Sequence, residues 1–404
     1  MGYTRSAIKG ISWMTALQGL FRLFTFLKIA VLARVLTPSQ FGIFGIASLI
    51  LAFLEILTET GINVLLIQSK TEISEYIDTA WVISILRGFI IFLGIVLTAP
   101  LITYFFNSPN ALGIILLISI SPLVRGFINP AEVNFQKNLK FNYEFVFRTS
   151  LYFIDAFVAV VFALLTHSVY SLALGLISSA ALEVIISFIF IKPTPRFKYD
   201  ISYLKDIFHR GKWVTGVSIF NYFGENGDNI VVGKVLGASS LGIYQVAYRI
   251  AILPITEISD VINKVIFPVY SKINEKNRLV KAFIKTTLLN ALLTFIIGSV
   301  IFLHPEFVIK IILGPQWLSA VPILKALAIF GILRAVLSPA SVVFLAKGRQ
   351  KYLAIIMFAR LAMLGMTIVP LVIAFGLVGA VYSQILSAVV SFVFTMFFIA
   401  LIFK

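Results

Sequence analysis

The sequence has no cysteine, only three histidines and few charged residues. Without cysteine there is no disulfide framework, no thiol nucleophile and no thiolate metal site. The histidines, His167, His209 and His304, are too few and too scattered for a metal centre. Charged residues are only 12% of the chain, far fewer than the surface of a soluble protein of this length needs. These shortages exclude a soluble globular protein, and no bound cofactor is expected.

Apolar residues, in contrast, make up 60% of the 404 residues, and the mean hydropathy is +1.02. The uninterrupted apolar runs are about 20 to 27 residues long, the length at which a helix crosses a hydrocarbon core of about 30 Å. We therefore predict an all-α integral membrane protein with twelve transmembrane helices. The predicted spans are 11–36, 41–67, 80–104, 111–130, 146–165, 169–191, 213–236, 241–267, 282–303, 320–344, 352–374 and 377–403.

Two short motifs occur twice in the same order. RVLTPSQFGIF at 34–44 returns in register as KVLGASSLGIY at 234–244, and RGFINPA at 125–131 returns as RAVLSPA at 334–340. Ordered repeats of this kind indicate a duplicated half. We predict two six-helix lobes related by a pseudo-two-fold axis normal to the membrane. They are an N-terminal lobe at 1–191 and a C-terminal lobe at 213–404, joined by a basic cytoplasmic linker at 192–212.

The formal net charge is +16, and most loop lysines and arginines lie in alternate loops together with the linker and both ends. Because such residues are enriched on the cytoplasmic side, both termini and the linker are predicted to be cytoplasmic. The basic charge is thereby assigned to topology, and nucleic-acid binding is not expected.

Ionisable residues also occur inside the predicted spans, where a charge is costly unless it faces protein or water. Near the centre of the first span, Arg22 shares one face with Thr15, Gln18 and Thr25, at about 100° per residue. Lys28 points away from that face. Central depth and clustering on one face favour a function for Arg22.

Carboxylates cluster on two other spans. Glu55 and Glu59 lie one turn apart on the second span, and Asn221, Glu225 and Asp228 lie within about 60° of one another on the seventh. Two carboxylates this close repel each other, so one is expected to hold a proton or share a cation.

Polar stripes thus concentrate on the first, second, seventh and eighth spans, which predicts a central hydrophilic cavity between the two lobes. Its arginines would suit a phosphate that must leave water. Further cations at depth include Arg87, Arg125, Arg148, Arg249, Arg334 and Arg360.

Structural roles compete with these functional ones. A pair such as Arg148 and Asp155 is expected to tie helices together. Arg87, Arg125 and Arg334 lie nearer the cytoplasmic side, where they would contact either the cavity or lipid headgroups.

Four stretches carry a resemblance to a known family: LARVLTPSQFGIF at 32–44, TGINVLLIQ at 60–68, NYFGENGDNIVVGKVLGASSLGIYQVAYRIAILP at 221–254, and IFPVYSKI at 266–273. The chain resembles the polysaccharide exporters, the Wzx-type lipid-linked oligosaccharide flippases of the MATE-like multidrug/oligosaccharidyl-lipid/polysaccharide exporter superfamily. The resemblance implies two six-helix lobes around a cationic cavity in a bacterial or archaeal plasma membrane. It also implies translocation of an undecaprenyl-pyrophosphate-linked repeat unit to the outer leaflet by alternating access, for O-antigen, capsule or exopolysaccharide synthesis.

Given that resemblance, the depth and direction of the side chains in the predicted spans suggest roles for two sets of residues. Candidates for the diphosphate and sugar cavity are Gln18, Arg22, Lys28, Arg87, Arg125, Arg249 and Arg334. Candidates for coupling to a proton or sodium ion are Glu55, Glu59, Asn221, Glu225 and Asp228. Expected partners are the lipid-linked oligosaccharide, the bilayer, and glycan polymerase or export machinery. Many relatives have 14 spans, whereas twelve are predicted here. A lipid-tail groove built from spans 13 and 14 is therefore not expected.

Three alternatives stay open at this point. One is a flippase for lipid II or another lipid-linked glycan, and another is a MATE-like exporter, although an exporter of cations would favour acidic over basic residues at depth. The third is a membrane polysaccharide polymerase or ligase, which would need a large polar external loop. The longest predicted outer loop, 304–319, is short and apolar, so a non-enzyme is expected.

Overall fold

A computed structural model describes residues 2–59 and 73–403. Within these residues every regular element is a helix and no strand occurs. Over the described ranges, eight helical stretches are long and apolar enough to cross a membrane, or nine if the bent pair at 109–137 counts as one span. The protein is therefore a multi-pass membrane protein, and the number of twelve spans stays a prediction. The end of the predicted second span, 60–67, lies outside the described residues, as does the TGINVLLIQ stretch.

The chain forms two compact units, residues 1–226 and 227–404. Over its described residues, the first unit contains eight helices, two short 3-10 turns and the beginning of a ninth helix. These helices are α1 Gly2–Val35, α2 Pro38–Leu57, α3 Ile73–Phe105, α4 Leu112–Ile118, α5 Ile120–Arg125, α6 Asn134–Lys137, α7 Phe141–Thr166, α8 Tyr170–Phe190 and the start of α9 Ile201–Lys272. Helix α7 packs against both α1 and α8.

The second unit holds the rest of α9 and five further helices. They are α10 Lys276–Leu303, α11 Pro305–Ile312, α12 Val321–Val336, α13 Ser338–Ala346 and α14 Gln350–Ile402. At 1.5 Å per residue, the 53 residues of α14 would reach about 80 Å, more than twice the hydrocarbon thickness. The helix is broken at Gly376 (φ 60, ψ −138), between the predicted spans 352–374 and 377–403.

The repeated turn motif breaks the helix at the same register position in both copies. After α1, Thr37 forms a capping box with Gln40: its side chain accepts from the Gln40 N–H at 3.3 Å, and its own N–H donates to Gln40 Oε1 at 2.8 Å. Pro38 then begins α2, as suits the first helical position. The residue in register with Thr37 is Gly237, whose positive φ of 82° interrupts α9. One turn is thus made by capping and the other by glycine.

The repeated R-x4-P-A motif also lies at helix breaks. The predicted span 111–130 is not one straight helix, because the helical stretches 109–125 and 130–137 are bent by 72° relative to each other. Pro130 starts a new 3-10 turn there, and the buried Asn129 side chain caps it by accepting from the Ala131 N–H at 3.0 Å. The predicted span 320–344 is likewise divided between α12 and α13, and Pro339 lies in the first turn of α13.

The predicted linker is held against α3 before it enters α9. Asp78 accepts from the Arg196 N–H at 2.7 Å, and the Thr79 hydroxyl accepts from the Asp200 N–H at 3.0 Å. Helix α9 begins at Ile201, inside the predicted linker, and continues into the predicted seventh span. The boundary between the two compact units lies inside the predicted seventh span. The lobes at 1–191 and 213–404 stay a prediction.

Candidate functional site

Two glycines bring α3 and α5 into backbone contact. A Cβ added at Gly88 would lie 2.5 Å from the Pro122 carbonyl oxygen, and one at Gly126 would lie 2.9 Å from the Ser84 carbonyl oxygen. Small residues at such positions allow membrane helices to approach closely. Each glycine follows an arginine in sequence, so this contact brings Arg87 and Arg125 to the same cavity. The two Arg-Gly pairs were the signal for this contact, and the sequence reasoning missed it.

The cavity lies within the first unit and has a volume of about 760 Å³. That volume is typical of sites for small organic ligands, about 300–1,000 Å³. Its lining comes mainly from α2, α3, α5, α7 and α8. The charged lining residues are Glu55, Glu59, Arg87, Arg125, Glu132, Arg148, Asp155 and Glu183. The sequence predicts a cavity lined by the first, second, seventh and eighth spans, whereas this cavity is lined by the second span and the third to sixth, with Phe21 from the first.

Arg148 on α7 joins two carboxylates. Its Nη1 donates to Glu183 Oε1 at 2.6 Å and its Nη2 to Glu132 Oε1 at 3.2 Å. The predicted pairing of Arg148 with Asp155 is wrong. The two residues lie two turns apart on one helix, and each finds its partner on a neighbouring element instead.

Asp155 pairs with Lys28 of α1. The lysine Nζ lies 2.8 Å from both carboxylate oxygens. On the other side, a Cβ at Gly175 of α8 would lie only 2.6 Å from the Asp155 carbonyl oxygen, so α8 approaches closely here. Lys28 was expected to contact the diphosphate, and the structure places its ammonium group in an ion pair that ties α1 to α7.

Arg87 holds the end of α2. Its Nη2 donates to the Glu55 carbonyl oxygen at 2.8 Å and its Nε to the Thr58 hydroxyl at 3.2 Å. Carbonyls in the last turn of a helix lack partners within that helix, and a cation there also interacts favourably with the helix dipole. The sequence left open whether Arg87 contacts a cavity or lipid headgroups, and the structure places it in the lining of this cavity.

Arg125 is bound less tightly than the other two arginines. Its guanidinium lies 3.9 Å from Glu55 Oε1 and 3.7 Å from Glu183 Oε2, both longer than a hydrogen bond. Its Nε finds no hydrogen-bond acceptor among the described residues, and the side chain is 39% exposed. Because a guanidinium carries five N–H donors, Arg125 is the cavity arginine with the most capacity to bind a ligand.

Of the other site residues predicted on the first two spans, two line the cavity and two do not. Glu55 and Glu59, predicted for ion coupling, line the same cavity as the arginines predicted for substrate. Gln18 and Arg22 on α1 are half-buried and are not among the residues that line it. Glu132 was missed altogether, because a single glutamate after a proline carries no periodic signal.

The polar group predicted on the seventh span differs in burial from residue to residue. Asn221 and Glu225 in the first unit are exposed. Asp228 in the second unit is fully buried. Its Oδ2 accepts from Tyr244 Oη and Gln384 Nε2, each at 2.7 Å. Helical spacing gives the direction of these side chains but not their depth.

Two predicted cations lie elsewhere in the second unit. Arg334, in the second copy of the R-x4-P-A motif, donates from Nη1 to the Tyr248 hydroxyl at 3.0 Å. Arg249, the next residue after that tyrosine, is exposed.

Comparison with known proteins relates this geometry to a family. The sequence profile of the polysaccharide biosynthesis protein family matches residues 31–322. The chain is 26% identical over 362 residues to the teichuronic acid biosynthesis protein TuaB of Bacillus subtilis (strain 168), covering 86% of this chain and 72% of TuaB. It is also 26% identical over 355 residues to the lipopolysaccharide biosynthesis protein WzxC of Escherichia coli (strain K12), with the same coverage.

Among solved structures, the lipid II flippase MurJ in an inward closed conformation superposes with a TM-score of 0.78. The match covers 96% of this chain and 87% of MurJ at 16% identity. At that identity the likeness shows the fold alone. The profile match spans well over half of the chain. The chain therefore belongs to the polysaccharide biosynthesis protein family, and the predicted resemblance to the polysaccharide exporters is confirmed.

Proposed function

We propose that this protein is a flippase that moves a lipid-linked oligosaccharide from the cytoplasmic to the outer leaflet. The observation that carries the proposal is the cavity of about 760 Å³ with eight charged lining residues inside an apolar helical unit. A charge at membrane depth costs about 2.5–3.5 kcal/mol or more unless it faces protein or water. A transporter of a large polar headgroup needs such a chamber, and a purely structural bundle does not.

The relatives support the class of cargo. TuaB and WzxC are named for teichuronic acid and lipopolysaccharide biosynthesis, and the family is named for polysaccharide biosynthesis. An undecaprenyl-pyrophosphate-linked repeat unit is the form of such a glycan that a membrane protein would flip. Lipid II, the cargo in the name of MurJ, is the alternative within the same fold, and glycan polymerase or export machinery would act next.

Transport would follow alternating access, with both termini in the cytoplasm. Arg22 and Arg249 are the cations proposed to contact the diphosphate, since Lys28 is paired with Asp155 at 2.8 Å. Asp228 is proposed to hold a coupling proton or sodium ion, because its buried carboxylate is held by the neutral donors Tyr244 and Gln384. Glu55 and Glu59 are proposed to take part at the cavity.

One observation favours a second candidate. Five carboxylates line the cavity against three arginines. An exporter of organic cations, the MATE-like alternative, would use such an acidic excess.

Flipping in proteoliposomes tests the two functions against each other. A fluorescent undecaprenyl-pyrophosphate oligosaccharide is reconstituted with the protein, and its exposure to an external sugar oxidase is followed with and without a proton or sodium gradient. We expect flipping above that of protein-free liposomes, accelerated by one of the gradients. Uptake of a quaternary ammonium dye by the same vesicles, without flipping of any sugar-lipid, would support the cation exporter instead.

A further inference from the structure

The charges of the cavity are nearly balanced, with a slight acidic excess. Lys28 neutralises Asp155 at 2.8 Å. Four carboxylates then remain for three guanidinium groups. These are Glu55, Glu59, Glu132 and Glu183 against Arg87, Arg125 and Arg148. A phosphate in this chamber would meet carboxylates about as close as arginines, and in a low-dielectric environment that repulsion is strong. The cavity is therefore unsuited to the anionic part of a lipid-linked oligosaccharide.

The surroundings of Arg125 suit hydroxyl groups instead. Carboxylates lie on two sides of its guanidinium, Glu55 at 3.9 Å and Glu183 at 3.7 Å. A sugar hydroxyl both donates and accepts, so one hydroxyl can accept from Arg125 while it donates to either carboxylate. Hydrogen bonds to charged groups are stronger than those between neutral groups. A phosphate has only acceptors and could use the arginine but not the carboxylates.

An aromatic pair completes the wall. Phe21 of α1 and Tyr152 of α7 both line the cavity, with ring centroids 4.5 Å apart. Aromatic rings offer a flat apolar surface to which the C–H face of a sugar ring can pack, and the tyrosine adds a hydroxyl. Charged hydrogen-bonding groups and aromatic rings in one lining suit a polar but uncharged sugar ring.

We propose that the cavity of the first unit binds the uncharged, hydroxyl-rich glycan part of the cargo through Arg125, Glu55 and Glu183, and that the diphosphate is held elsewhere. This inference rests on the proposed function for the identity of the cargo. It adds that the chamber selects neutral sugars over anionic groups.

The absence of cysteine allows a direct test of the chamber's charge. Ser84 lines the cavity, so the full-length Ser84→Cys variant carries one thiol there, against a background with no other. Its labelling rates with a cationic trimethylammonium methanethiosulfonate and an anionic sulfonate methanethiosulfonate are each divided by the rate with free cysteine. The matched control is Ser271→Cys, an exposed position outside the cavity and next to Lys272.

At Ser84→Cys we expect the cationic reagent to react about threefold faster than the anionic one, because the slight acidic excess of the cavity raises the local concentration of cations. At Ser271→Cys we expect no such preference, or the opposite one. Adding Glu59→Gln to Ser84→Cys should reduce the ratio. Faster reaction with the anionic reagent at Ser84→Cys, or no reaction with either reagent, would overturn the proposal.

Protection of the same thiol tests the ligand class. The probes are maltotriose, cellotriose and chitotriose as neutral sugars, trigalacturonic acid and inorganic pyrophosphate as anions, and tetraethylammonium as a cation. We expect at least one neutral sugar to slow labelling about fivefold or more, the anions to protect much less, and Arg125→Gln to abolish the protection. Protection by the anions alone, by tetraethylammonium alone or by no neutral sugar would contradict glycan binding. So would full protection in Arg125→Gln.

Labelling does not depend on transport, so the two failures can be told apart. Selective protection by a neutral sugar without flipping of any sugar-lipid would leave the glycan chamber standing and refute the flippase. Flipping in proteoliposomes together with protection by pyrophosphate would refute only the assignment of the chamber.

Discussion

The two copies of the R-x4-P-A motif differ in what surrounds the arginine. In the first unit, Arg125 lies in the cavity between Glu55 and Glu183, at ion-pair distances longer than a hydrogen bond. In the second unit, Arg334 donates to the hydroxyl of Tyr248 at 3.0 Å. Both copies interrupt a helix near the proline. A duplicated sequence has thus kept its backbone break, while the chemistry at the arginine has diverged.

The first prediction separates structural from ligand-binding arginines in one cavity. Replacing Arg148 with Met leaves the largely buried Glu183 and Glu132 without the partner that holds them at 2.6 and 3.2 Å. We expect the free energy of unfolding to fall by about 3 kcal/mol or more. Arg125→Met, the matched control, breaks looser and more exposed pairs and should cost less than about 1 kcal/mol. Unfolding in a denaturing-detergent titration measures both, and equal losses would show that Arg125 is as structural as Arg148.

The second prediction concerns the contact between α3 and α5. An alanine at Gly88 would bring its Cβ to 2.5 Å from the rigid Pro122 carbonyl, so the helices must separate. We expect a loss of about 1–3 kcal/mol and a wider cavity. Gly19→Ala on α1 is the control, since nothing lies within 4 Å of its added Cβ. A thermal melting temperature unchanged in Gly88→Ala would mean that the helices are not in backbone contact.

The third and smallest prediction compares the two repeated turns. Gly237 has a φ of 82°, at which a Cβ is strained, so Gly237→Ala should cost about 1–2 kcal/mol. Thr37→Ala removes the capping side chain of α2 and should cost about 1 kcal/mol. Thr37→Ser should restore most of that loss because it keeps the hydroxyl. If Gly237→Ala is neutral in the same melting assay, the second turn does not require its left-handed glycine.

The class of fold followed from the sequence for physical reasons. In apolar runs of membrane-spanning length, a helix is the main structure in which all backbone N–H and C=O groups form hydrogen bonds. The helix breaks at Gly237 and Gly376 lie between predicted spans. The bend at the end of the predicted span 111–130 could not be predicted from hydropathy, because the break at Asn129 and Pro130 depends on contacts far away in sequence. Asn129 donates to the carbonyl oxygens of Ile191 and Pro193, each at 3.1 Å.

The candidate site could be predicted less well than the fold. Helical periodicity gives the face of a side chain but not the helix that it meets. The sequence therefore identified Arg87, Arg125 and Glu55 as residues at depth, without the contacts that bring them together. The partners of Lys28 and Arg148 were missed for the same reason. The signals that could have helped are the glycines that follow Arg87 and Arg125, since small residues mark close helix contacts.

The most direct test of our central claim, that the cavity of the first unit handles the cargo, is the initial rate of sugar-lipid flipping by Arg125→Gln and Arg334→Gln in matched proteoliposomes. Loss of a charged hydrogen bond to the cargo at Arg125 should slow flipping about tenfold or more, while the amount of folded protein stays unchanged. Arg334→Gln, whose arginine donates to Tyr248, should slow flipping by about threefold or less. If Arg125→Gln flips the lipid at the normal rate, or if only Arg334→Gln is slow, the cargo does not bind in this cavity.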